Sequence, residues 1–172
     1  MTRKIEELFK CVNERSTFQC QRVQDNPVAY LAETTIQLFG MVQPISISIT
    51  YYPTQNSLVL LMFISEGYSG KNSVLVDQLL LRLNSFIYSG GFAIWPENGD
   101  IIFKQSVPEH DMSCRKLISL LEYFTKVYIT VKPQLDVFAS NFQLKQVSEE
   151  EVLEITKRLS IDMRNVEKSL VE

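Results

Sequence analysis

The sequence holds one histidine, one tryptophan and three cysteines among 172 residues, and it has no long block of like charge. His110, being alone, excludes any metal centre built on several histidines, and Cys11, Cys20 and Cys114 lack the paired spacing of a zinc site. An odd number of cysteines without paired spacing fits a reducing compartment better than a disulfide framework. The formal charge of -3, from 17 basic and 20 acidic residues, leaves no electrostatic footprint for nucleic acid or an anionic membrane. Also missing is an apolar stretch of membrane-spanning length: the run Leu58 to Ile64 is far too short to cross a bilayer and suits a strand. The opening MTRKIEELFK is charged from its third residue and lacks the apolar core of a secretion signal, so a cytoplasmic protein without membrane insertion is expected. No metal or cofactor is implied.

What is present is a 45% hydrophobic chain, enough to bury a core, and its length favours one domain. Ile5, Leu8, Phe9 and Val12 repeat at helical spacing after Thr2, a candidate cap. Phe18 to Gln24 reads as a short strand or an extended connection, and Asp25-Asn26-Pro27 breaks it. Tyr30 to Phe39 is rich in Thr, Ile and aromatics. After Gly40, residues Ile45, Ile47, Ile49 and Tyr51 alternate with Ser46, Ser48, Thr50 and Tyr52, giving one dry face and one polar face. Leu58 to Ile64 is apolar at both parities, which predicts a central strand covered on both sides. These connections are too short for crossovers, so the meander is antiparallel.

Val74 to Ile87 carries a helical pattern stopped by Gly90-Gly91. Asn98-Gly99 then predicts a two-residue turn between two short strands. A long helix follows from Leu117 onward, with Pro133 set to kink it or end a first segment. Ser148 and Glu151 form a capping box opening a last helix, whose apolar positions run from Val152 to Leu170; a frayed charged tail beyond Leu159 is the competing reading. The expected fold class is α+β: an antiparallel sheet of about five strands, meander plus hairpin, packed with helices. The expected organisation is a single domain over residues 1–147 with a C-terminal helical extension over 148–172.

Reaction chemistry is thinly represented. Gly67, Gly70, Lys71 and Ser73 lie between strand and helix, but two residues separate the glycines and Asn72 follows the lysine, so the spacing is not that of a phosphate-binding loop. His110 and Cys114 stand four apart near a helix start, where a thiolate is stabilised, yet no third orienting group accompanies them. Glu97 and Asp100 flank a turn, and Glu149, Glu150 and Glu151 open a helix; both groups read as solvent-exposed charges. Trp95 on the hairpin reads as core or interface. The expectation is therefore no catalytic residue.

An interaction surface is legible instead. Ser46, Ser48, Thr50 and Tyr52 mark a face that the main core does not seal, and one apolar parity of the next strand must share it. Three such side chains, Val59, Leu61 and Phe63 or their alternates, would forgo about 1.5 to 3 kcal/mol each if left in water. The predicted partner-binding residues are Val59, Leu61, Phe63, Ser48, Thr50 and Trp95. The candidates to cover them are, in order, a second protomer in a homodimer, the chain's own last helix, or an unidentified protein client.

With the elements placed, their order resembles the type III secretion chaperone-like fold, and more narrowly the YbjN-type domain family, described as bacterial sensory transduction regulators. The resemblance rests on Leu83-Asn84 ending the second helix, Gly91-Phe92 opening the hairpin, Asn98-Gly99-Asp100-Ile101 turning it and Pro108 closing it. Pro133-Gln134-Leu135 and Ser148-Glu149-Glu150 match short motifs further on, while Lys104 or Gln105 stands where the family usually has Arg. The resemblance spans roughly Lys4 to Leu159 and implies a small, often dimeric α+β domain that binds another protein and brings no catalytic residues. The sequence thus points to a non-enzymatic protein-interaction domain of chaperone-like or adaptor type. A small-ligand-sensing regulatory domain is the alternative.

Overall fold

The structure is a computed structural model that describes residues 2–66, 73–144 and 148–168. Among the described residues four α-helices, α1 (Thr2–Arg15), α2 (Ser73–Asn84), α3 (Cys114–Leu144) and α4 (Glu149–Lys168), accompany six strands. The strands are β1 (Gln19–Asp25), β2 (Val28–Leu38), β3 (Met41–Tyr52), β4 (Ser57–Ser65), β5 (Gly91–Ile94) and β6 (Ile101–Pro108), in sheet order β1-β2-β3-β4-β6-β5. The pairings of β1 with β2, β2 with β3, β3 with β4 and β5 with β6 are all antiparallel. The α+β class and the meander-plus-hairpin sheet are as the sequence predicts. The sixth strand is β1, built where the sequence left strand and extended connection open.

The chain divides into two compact units, one of Met1–Met62 with Gln105–Thr125 and the other of Phe63–Lys104 with Lys126–Glu172. In the first unit the alternation of β3 decides the core. Ile45, Ile47, Ile49 and Tyr51 are buried, and their register partners continue that face through Tyr30 and Ala32 on β2 and Leu58 and Leu60 on β4. The stripe of α1 buries Ile5, Phe9 and Val12 there, with Phe9 stacked on Tyr30 at 3.8 Å between ring centroids. Leu117, Leu120, Leu121 and Phe124, from the start of α3, are buried as well.

In the second unit α2 buries Val76, Leu79, Leu80 and Leu83, and the register pair Phe92 and Phe103 stacks obliquely at 5.0 Å. The last helix packs against α2, burying Val152, Leu159 and Met163, and Arg164 lies over the Phe86 ring at 4.9 Å. The predicted capping box forms: the Glu151 amide donates to Ser148 Oγ at 3.2 Å, and the Ser148 amide donates to Glu151 Oε2 at 2.8 Å.

Several local expectations are corrected. The Asn98-Gly99 turn is not a two-residue loop: the Trp95 amide donates to Asp100 O at 2.7 Å and the Gly99 amide to Trp95 O at 2.9 Å, leaving residues 96–99 as a longer loop in which Gly99 has φ 79°. The tight hairpin lies elsewhere, between β2 and β3, where Phe39 (φ 52°) and Gly40 (φ 77°) connect the paired Leu38 and Met41. Covered faces are also redistributed. Of the apolar residues on β4, Leu58, Leu60, Met62 and Ile64 are buried, Val59 and Leu61 are half-buried and Phe63 is 50% exposed, whereas Ile101, Ile102 and Phe103 put buried apolar side chains on both parities of β6. Helix α2 stops at Asn84, earlier than Gly90-Gly91. Helix α3 runs through Pro133 to Leu144, so the proline ends no segment. The predicted Gly67, Gly70 and Lys71 loop and the tail residue Leu170 lie outside the described residues.

Candidate docking face and disulfide hollow

The strand alternation that dries one side of the first unit leaves the other side less deeply buried. On that outer side Leu31, Ser48 and Leu61 stand in one row across β2, β3 and β4, and Ala29, Thr50 and Val59 in the next. Ser48, Thr50, Val59, Leu61 and Leu31 are each half-buried and Ala29 is buried, against the near-complete burial of the neighbours of opposite parity on β3 and β4. The strip has a polar margin: Glu33 accepts from Gln21 Nε2 at 3.2 Å and from Ser46 Oγ at 3.3 Å. Beyond the register of β1 and β4, the β2–β3 turn carries further apolar surface, with Phe39 77% exposed and Met41 and Val42 exposed beside it.

Of the predicted partner-binding residues, Ser48, Thr50, Val59 and Leu61 are thus brought onto one face. Phe63 and Trp95 belong to the second unit, where their rings meet edge-on with centroids 6.0 Å apart and the indole Nε1 donates to Glu97 Oε2 at 3.3 Å. Sequence reasoning missed Leu31 and Glu33, although the parity of β2 was enough to place them once its register with β3 is known.

The cysteines are rearranged. Cys11 and Cys114, separated by 103 positions, form a disulfide with their Cα atoms 6.1 Å apart, which corrects the expectation of three unpaired thiols. The thiol needed for a Cys114–His110 nucleophile is consumed in that bond, and His110 itself is exposed, its Nε2 3.5 Å from Asp111 Oδ1. Cys20 remains free and buried, and burial pushes its thiol up to about 11. An unforeseen buried carboxylate stands nearby: Glu109, 7% exposed, accepts the Tyr51 hydroxyl at 2.8 Å, with Lys4 Nζ 4.0 Å from its other oxygen. Burial, then the hydrogen bond and charge of Glu109, raises the Tyr51 phenol above its ordinary range.

Both bonded cysteines line a hollow of about 230 Å3, together with Lys4, Ile5, Leu8, Glu109 and Met112. That is below the size of ordinary small-molecule sites, which span roughly 300 to 1,000 Å3. Among the described residues no group of three or more His, Cys, Asp or Glu is placed to hold a metal ion, and no helix is long and apolar enough to cross a membrane.

No protein-family model matches the chain, and no curated protein matches it. Among solved structures it is similar to a chain of the HopA1–SchA chaperone-effector complex. The identity is 14% over 66% of this chain and 80% of that one, with a TM-score of 0.43.

Proposed function

We propose that the chain is a non-enzymatic protein-interaction domain of chaperone-like or adaptor type, in keeping with the YbjN-type resemblance of its sequence. Its working surface is the outer face of β3 and β4, first used by a second copy of the chain and then by a protein client. The observation that supports this reading is the half-buried row of Val59 and Leu61 beside Ser48 and Thr50. Isolated exposed apolar residues need no explanation, but a contiguous strip on a sheet does. Complete burial of an exposed Val or Leu side chain contributes about 1.5 to 3 kcal/mol, so a partner that covers what is left exposed of these half-buried ones gains a part of that from each.

Molar mass in solution tests the proposal. The wild type is expected as a dimer at high micromolar concentration, and Val59→Asp and Leu61→Asp as folded monomers that have also lost captured clients. A monomeric wild type, with both variants folded and unchanged in mass and capture, would leave this face without an intermolecular role.

A further inference from the structure

We infer that Cys11–Cys114 is a thiol-exchange site, open to a small thiol of the glutathione class, with Cys11 the sulfur that is attacked. The inference stands apart from the docking face and does not rest on it. Its first ground is access. Both cysteines line the hollow and are only half-buried, whereas Cys20 is buried with its thiol pushed up to about 11. The lining also includes apolar Ile5, Leu8 and Met112 and the charged Lys4, Glu7 and Glu109, with Lys4 Nζ 4.0 Å from a Glu109 carboxylate oxygen.

The second ground is asymmetry between the two sulfurs. Cys114 is the first residue of the 31-residue helix α3. Ser113 caps that helix, its Oγ accepting the Lys116 amide at 3.2 Å and its carbonyl the Leu117 amide at 2.9 Å. Unsatisfied amides and the helix dipole there favour a thiolate. Cys11 has no such support, lying ten positions into the 14-residue α1, past its middle, with acidic Glu7 one turn before it. The sulfur that leaves more readily as thiolate is therefore Cys114, and attack falls on the other.

The step balances as ordinary exchange. An incoming thiolate bonds to Cys11 Sγ while the Cys11–Cys114 bond breaks, and Cys114 departs with the electron pair. A second thiol then attacks the external sulfur of the mixed disulfide, leaving Cys11 as a thiolate and releasing the small disulfide. Two thiols are oxidised and one protein disulfide is reduced. The buried stripe of Ile5, Phe9 and Val12 still seats α1 afterwards, so exchange frees the start of α3 from α1 without dismantling the helix.

The test uses the full, air-oxidised chain in native buffer with reduced glutathione, quenched in acid and mapped by mass spectrometry. A glutathione adduct on Cys11, with Cys114 free and Cys20 unmodified, is expected. In single variants at neutral pH, the Cys114 thiol of Cys11→Ser should alkylate about three- to tenfold faster than the Cys11 thiol of Cys114→Ser. An adduct on Cys114, exchange only in denaturant, or an oxidised chain that contains no Cys11–Cys114 bond would each overturn the assignment.

Discussion

At the residue scale, what the sequence hides is the partner that lies far along the chain. Glu109 follows Pro108 in a polar stretch, and no local pattern marks it as buried; its hydroxyl partner Tyr51 is 58 positions away. The disulfide partners are 103 apart, so counting cysteines could not pair them. By contrast the inward Ile45, Ile47, Ile49 and Tyr51 and the outward Ser48 and Thr50 were readable one by one, because the side-chain period of a strand is fixed by its backbone. Cys20 gives a prediction with a definite sign. Burial pushes its thiol up from the ordinary 9.0 to about 11, so the folded state holds the proton that the unfolded chain gives up. That contribution to stability is complete below pH 9 and is lost as the pH rises from 9 to 11. In a Cys11→Ser/Cys114→Ser background, where no disulfide can shuffle, the urea midpoint should fall over this range, and adding Cys20→Ala should flatten the fall. Parallel profiles would refute the burial argument.

At the scale of elements, each unit fastens a helix to the strand that follows it with one asparagine. In the first, Asn13 accepts the Cys20 amide at 2.6 Å and donates to the Cys20 carbonyl at 3.0 Å. In the second, Asn84 accepts the Phe92 amide at 2.7 Å and donates to the Phe92 carbonyl at 2.9 Å. The carboxamide imitates a neighbouring strand, offering one acceptor and one donor to both groups of one residue. Asn84→Ala should destabilise the chain by about 1 to 3 kcal/mol, because the Phe92 amide is left without its acceptor. Asn84→Asp, which keeps the acceptor, should cost less; equal losses in urea unfolding would show that the bracket is incidental. The hairpin turns teach the same point about legibility. Asn98-Gly99 carries the strongest two-residue turn signal, yet the pairing of Trp95 with Asp100 sets the loop length, and Asn98 spends its side chain on the Asp100 amide at 3.1 Å. Phe39-Gly40, half of which is a residue seldom seen at positive φ, makes the tight turn because the flanking β2 and β3 register demands it.

For the whole molecule, chain topology gives the disulfide a role beyond its surroundings. The first compact unit is assembled from two stretches, Met1–Met62 and Gln105–Thr125, and the stretch between them, Phe63–Lys104, belongs to the second. Without a covalent tie, the first unit must close a long loop through its neighbour's residues before α1 and the start of α3 can share a core. Cys11–Cys114 closes that loop in advance, across 103 positions. Loop-entropy arguments assign such a closure about 4 to 5 kcal/mol, and measured cases typically retain about 2 to 4. Nothing of this was legible from composition, which favours free thiols, whereas the helices and strands that bring the two cysteines together were largely readable from their periodicity. The double variant Cys11→Ser/Cys114→Ser is therefore expected to keep its circular-dichroism spectrum while losing about 2 to 4 kcal/mol in urea unfolding. The wild type reduced with dithiothreitol should match the double variant, because the effect acts on the unfolded chain and not on a particular contact. If the oxidised wild type, the reduced wild type and the double variant unfolded at one common midpoint, the bond would carry none of the closure entropy, and the first unit's two stretches would have to be held together by packing alone.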